Sequence, residues 1–185
     1  MRRIGAVLLV LSILITSLVG CGNAGEREFL PELDGAFVFS LSGTLCGVEM
    51  SAEVHVGAPN DTENGRVRAV SMSFTAPETL RGITVSCDSF RMDTHEAPNV
   101  TVTLDGMHME NSTLSGFLAP ALLLAAAFET TESRIETRDR QKVTLLTATS
   151  CGNTRTVGIV SGQIVSLQGQ WNDVWGEWEV YPSNE

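Results

Sequence analysis

Positive charge is scarce in this chain. Lys142 is the only lysine among 185 residues, and 12 Lys+Arg stand against 22 Asp+Glu, for a formal net charge of −10. A protein that neutralises phosphates needs a basic face, so a nucleic-acid partner is excluded. Charged residues are few and hydrophobic ones make up 43%, which excludes intrinsic disorder, because so apolar a chain buries enough surface to offset its ordering entropy. Catalytic signatures are missing as well. There is no Gly-x-Ser-x-Gly elbow, and Asp139 stands where a Ser-x-x-Lys pair with Lys142 would need its serine. His55, His95 and His108 lack metal-helix spacing. Asp93, His95 and Glu96 read as a solvated loop before Pro98 rather than a metal site, and Cys87 with His95 is only a sequence neighbourhood, not a thiol-base pair. Repeats and low-complexity tracts are absent, the length fits one domain, and the expectation is a protein that is no enzyme and holds no cofactor or metal.

The first residues are informative. Arg2 and Arg3 precede an uncharged apolar run from Ile4 to Leu18. As a helix that run is roughly 22 Å long, short of the roughly 30 Å hydrocarbon core, so it reads as a secretory signal rather than a span. Leu18-Val19-Gly20-Cys21 resembles the bacterial lipobox, in which the cysteine is acylated and becomes the new N-terminus. The expected organisation is a signal peptide over 1–20, a lipidated tether over 21–33 and one β-rich domain over 34–185. The expected location is the extracytoplasmic face of the cell membrane, held by lipid on Cys21. The body is acidic, so the anchor rather than a basic patch must hold it there. Cys46, Cys87 and Cys151 remain after processing, and spacing selects no disulfide among them.

Beyond the tether the dominant signal is alternation with period two. Val48, Met50, Ala52, Val54 and Val56 fall on one face of a strand, with Phe37, Phe39 and Leu41 forming a similar face just before. Val70, Met72 and Phe74 alternate with serines. Val100, Val102 and Leu104 run into Asp105-Gly106, a two-residue hairpin turn that sets Leu104 opposite Met107 and Val102 opposite Met109. Phe117 to Phe128 breaks the pattern: apolar all round, with Pro120 where a first helical turn tolerates it, it predicts a helix covered by protein. Strands resume at Val143–Thr149, Thr154–Val160, Ile164–Gln168 and Gly176–Tyr181. Many antiparallel strands around an apolar helix predict an α+β fold, with a curved sheet closing over the helix.

Thr75-Ala76-Pro77-Glu78-Thr79-Leu80-Arg81-Gly82-Ile83-Thr84-Val85 follows a strand directly and resembles the strand, P-x-x-L-x-G, strand step of LolA-like lipoprotein carriers and of related anchored lipoproteins. The order of strands, apolar helix and C-terminal strands is similar too, over roughly Asp34 to Tyr181. The resemblance implies a half-barrel of antiparallel sheet around one or a few apolar helices, enclosing a cavity for acyl chains. The candidate lining is Phe37, Phe39, Met50, Val54, Met72, Phe74, Met107, Met109, Leu122 and Leu123. Methionine is unbranched and polarizable and adapts to apolar ligands of different shape, although each of these residues equally fits a plain core. The favoured function is non-enzymatic binding of a lipid or other apolar ligand. The alternative is an envelope interaction module that binds wall glycan or a partner protein, for which Trp171, Trp175 and Trp178 are the candidate platform, with Trp178 expected in the core.

Overall fold

A computed structural model describes residues 35–94, 98–128 and 130–182. The signal segment, Cys21, the tether and His95-Glu96 lie outside the described residues. The elements in chain order are β1 Phe37–Leu45, β2 Val48–Val56, β3 Asn60–Thr62, β4 Gly65–Ala76, β5 Thr84–Arg91, β6 Val100–Leu104 and β7 Met107–Asn111. A 3-10 helix Ser112–Leu118 leads into α1 Ala119–Ala125, followed by β8 Thr130–Arg138, β9 Gln141–Ser150, β10 Asn153–Val160, β11 Gln163–Trp171 and β12 Val174–Pro182. The strands form one open antiparallel sheet of order β7-β6-β5-β4-β2-β1-β12-β11-β10-β9-β8, with β3 paired to β4. The first and last long strands, β1 and β12, pair in its middle and join its two halves.

The sheet is a curved half-barrel. Phe90 of β5 and Trp171 of β11 stand five places apart in strand order, which in a flat sheet would separate them by roughly 24 Å. Their rings meet edge to face with centroids 5.7 Å apart, so the sheet curls to bring them together. Register shifts at Ser51/Ala52, Arg68/Val70, Gly158/Ile159 and Thr130/Glu132 supply bend and extra twist. Glycine supplies room. An added Cβ at Gly176 would lie 2.1 Å from the Trp178 ring, and one at Gly43 would lie 2.0 Å from the Glu177 carbonyl oxygen.

α1 lies in the concavity against β11, β4, β12 and β2. All seven of its residues are buried, and Leu122, Leu123 and Leu124 each contribute roughly 1.5–3 kcal/mol of burial. The α-helix is shorter than the predicted 117–128: Pro120 sits in its first turn, and Ala126 turns extended as the N–H of Ala127 donates to the Met92 carbonyl at 2.9 Å. Arg155 Nη1 donates to the Leu123 carbonyl at 2.9 Å, supplying a partner in the last turn. The other end of the concavity is stoppered by Arg68, buried, which donates to the carbonyls of Gly57 and Gly35 and lies over the Phe37 ring at 5.4 Å.

The Asp105-Gly106 hairpin has the predicted register, with both residues at positive φ. β8 and the short β3 are the elements the alternation did not reveal. β8 reads Thr-Thr-Glu-Ser-Arg-Ile-Glu-Thr-Arg, with one large apolar side chain, and its turn Asp139-Arg140 reaches positive φ at both positions without a glycine.

Candidate apolar ligand site

At the end of the concavity that α1 does not cover, the sheet and the 3-10 helix enclose a recess of about 440 Å³. One wall is the β1–β2 hairpin tip, with Leu45, Cys46, Val48 and Met50; the other is Phe74 with the Pro77–Leu80 turn. Gly116 and Phe117 form the roof and Val174 closes the β12 side. Phe117 stands edge to face on Phe74, with ring centroids 5.8 Å apart. Gly116 allows the helix backbone to approach Val174, whose Cγ2 would lie 2.8 Å from an added Cβ. The lining is almost wholly apolar, with the Thr79 and Thr113 hydroxyls and the Cys46 thiol as its polar side-chain groups. Its volume lies within the roughly 300–1,000 Å³ typical of small-molecule sites. The mouth opens at the far end of β1 from Gly35, so nine residues of strand, roughly 30 Å, separate it from the point where the N-terminal segment joins the domain.

The structure distributes the sequence-predicted lining over three environments. Met50 and Phe74 face the recess. Phe39, Val54, Met72, Leu122 and Leu123 are buried in the packed core beneath α1, and Phe37 is partly buried at its margin under Arg68. Met107 and Met109 depart furthest from the expectation. They keep the predicted face, in cross-strand rows that run Val54-Met72-Val85-Val102-Met109, but they are 67% and 57% exposed. The reason is position: β7 is the last strand of the sheet, and the apolar rows continue past the edge of what the helices cover. Leu45, Val48, Leu80, Phe117 and Val174 complete the site. Leu45, Val48 and Val174 sit at strand ends, Leu80 in the Pro77–Leu80 turn and Phe117 in the 3-10 helix; the sequence signals among them are the alternation that includes Val48, the Pro77–Leu80 motif and the apolar segment that begins at Phe117.

The ionisable groups near the core have structural explanations. Burial lowers the Arg155 guanidinium to about 10, still charged at neutral pH, and it packs over the Phe128 ring at 4.5 Å. Cys46, Cys87 and Cys151 are free thiols, the first and last exposed. Burial pushes the Cys87 thiol up, against a smaller opposing effect of its hydrogen bond with the Ser89 backbone, which is the reverse of what activates a nucleophile. Among the described residues, no three His, Cys, Asp or Glu side chains converge as metal ligands would. Trp171 and Trp178 are both buried, leaving Trp175 exposed on the convex face.

No protein-family model matches the chain, and no curated protein matches it. Among solved structures it is similar to a domain assigned to outer membrane lipoprotein sorting from Vibrio parahaemolyticus, at 10% identity and TM-score 0.44 over 84% of this chain and 87% of that one. It is similar also to a DUF1329 family protein from Desulfovibrio piger, at 12% identity and TM-score 0.42 over 84% and 87% of the two chains. A third is the Mycobacterium tuberculosis lipoprotein LppX, at 14% identity and TM-score 0.38 over 85% and 94%.

Proposed function

We propose that this protein is a lipid-anchored, extracytoplasmic binding protein that holds an acyl chain or similar apolar ligand in the recess between the β1–β2 tip, the Pro77–Leu80 turn and Phe117. The observation that carries the reading is the recess itself: a volume of about 440 Å³ with almost wholly apolar walls, beside a core packed around α1. Water gains little from such walls, whereas a hydrocarbon chain removes their surface from solvent. The lipobox at Leu18–Cys21 supports the anchor. With the mouth turned away from Gly35, the ligand is taken up and released on the side remote from the tether. The glycan alternative loses its platform, since two of the three indoles are turned into the core.

The test is a titration with a fluorescent fatty acid. Thr79 is exposed and lines the recess, so Thr79→Trp should fill the site while leaving the melting temperature nearly unchanged, and weaken binding about 10-fold or more. Equal affinity in the variant, or no binding by the parent chain, contradicts the proposal.

A further inference from the structure

We propose that two copies of this chain pair edge to edge through β8, about a twofold axis at Ile135. Among the described residues, β8 is the terminal strand of the sheet and is hydrogen-bonded to β9 on one side only. Edge strands are ordinarily blunted by brevity, proline, charged side chains or a bulge, because an unpaired row of N–H and C=O groups templates another strand. β8 is blunted only in part: a register shift at Thr130/Glu132 bends its start, and its four charges alternate in sign, so they repel only a partner strand that meets them out of register. It is nine residues long, without proline or lysine, and Ile135 is 67% exposed.

The register to β9 identifies the free groups. Arg138 and Gln141 flank the two-residue turn and pair, so Arg138, Glu136 and Arg134 bond to β9, while Thr137, Ile135 and Ser133 turn their backbone groups to the open side. The side chains follow the same alternation. Glu132, Arg134, Glu136 and Arg138 share one face; Ser133, Ile135 and Thr137 share the other.

This sequence is complementary to its own reverse. Antiparallel pairing centred on Ile135 sets Arg134 opposite Glu136 of the second copy, Glu132 opposite Arg138, Ser133 opposite Thr137, and Ile135 against itself. Every charge meets its opposite. Of the other centres whose backbone groups are free, Ser133 keeps only Glu132 opposite Arg134 and sets Ile135 against Thr131, and Thr137 sets Arg134 against Arg140, so the Ile135 register makes the most opposite-charge pairs and is the favoured one. Within one copy Glu136 already bonds Arg134 at 2.5 Å and Arg138 at 3.2 Å, which holds the charged row extended along the strand. The contact is isologous, as a twofold requires.

Cysteine cross-linking of the full chain in detergent solution, with Cys46→Ser and Cys151→Ser to remove exposed thiols, reads the register directly. Residues at the centre of a hydrogen-bonded antiparallel pair have Cα atoms about 5.5 Å apart, within the disulfide range. Ile135→Cys should therefore form a covalent dimer under mild oxidation, Ser133→Cys alone should not, and Ser133→Cys mixed with Thr137→Cys should. Adding Arg134→Glu to Ile135→Cys should cut the yield about 10-fold, and the exchange Arg134→Glu with Glu136→Arg should restore it. Thermal melts establish that each variant is folded. Equal yields from Ile135→Cys and Ser133→Cys, indifference to Arg134→Glu, or a chain that cross-links nowhere on β8 overturns the proposal.

Discussion

The two ends of strand β2 make the most instructive comparison in the molecule. Val54 and Val48 lie on the same strand and the same face, both part of one alternating run, yet Val54 is wholly buried beneath α1 and Val48 is 57% exposed at the mouth of the recess. Nothing in the strand distinguishes them. The difference lies in how far along the sheet the helix reaches, which teaches that inward orientation is a property of the strand but burial is a property of its cover.

Replacing both valines by aspartate should break this comparison most sharply. Val54→Asp places an unpaired charge in the packed core and should cost about 3–5 kcal/mol or abolish folding, measured by chemical denaturation. Val48→Asp should change stability by no more than about 0.5 kcal/mol, while placing a carboxylate at the apolar mouth that lowers fatty-acid affinity. Coincident denaturation curves for the two variants would mean that the cover is misplaced.

A smaller effect is expected where the covered region is tightest. Gly176→Ala pushes a methyl group into the Trp178 ring and the Thr44 carbonyl, and should cost about 1–3 kcal/mol in a thermal melt. A melt indistinguishable from the parent would show that Trp178 has room to move.

The smallest effects are in thiol chemistry. Cys46 and Cys151, exposed, should react quickly with a thiol reagent at neutral pH, and Cys87 slowly, because burial raises its pKa and protects it. Bound fatty acid should slow Cys46, which lines the recess, and leave Cys151 unchanged. Linkage gives Cys87 a definite sign. Between the ordinary thiol pKa and the raised folded value, the native state holds more protons than the unfolded one, so its contribution to stability falls as pH rises through that window. Uniform labelling rates would remove the distinction between the two environments.

The same contrast explains what the sequence made legible. Period-two alternation located most of the strands, and Asp105-Gly106 gave the register of its hairpin, because both depend on neighbouring residues alone. Trp178 was placed inward by the same parity. β8 escaped because an edge strand beside solvent needs no apolar face, and its turn lacks the glycine that marked the others. The recess escaped for a different reason. Met50 and Phe74 show their face in the alternation and Leu80 stands in a visible motif, but these join Phe117 and Val174 around one recess only through the curl of the sheet and the path of the 3-10 helix, which no local pattern encodes. Met107 and Met109 carry the right parity on a strand that the cover never reaches.

On the proposed function, the end of the half-barrel that α1 does not reach, and not its middle, receives the apolar ligand. A photoactivatable fatty acid bound to the full chain, followed by mass-spectrometric mapping of the cross-linked residues, tests it most directly. Adducts are expected on Val48, Met50, Leu80 and Phe117, competed by unlabelled fatty acid and lost in Thr79→Trp. Adducts confined to Leu122 and Leu123 or to Met107 and Met109, or labelling that unlabelled fatty acid does not compete, would contradict it.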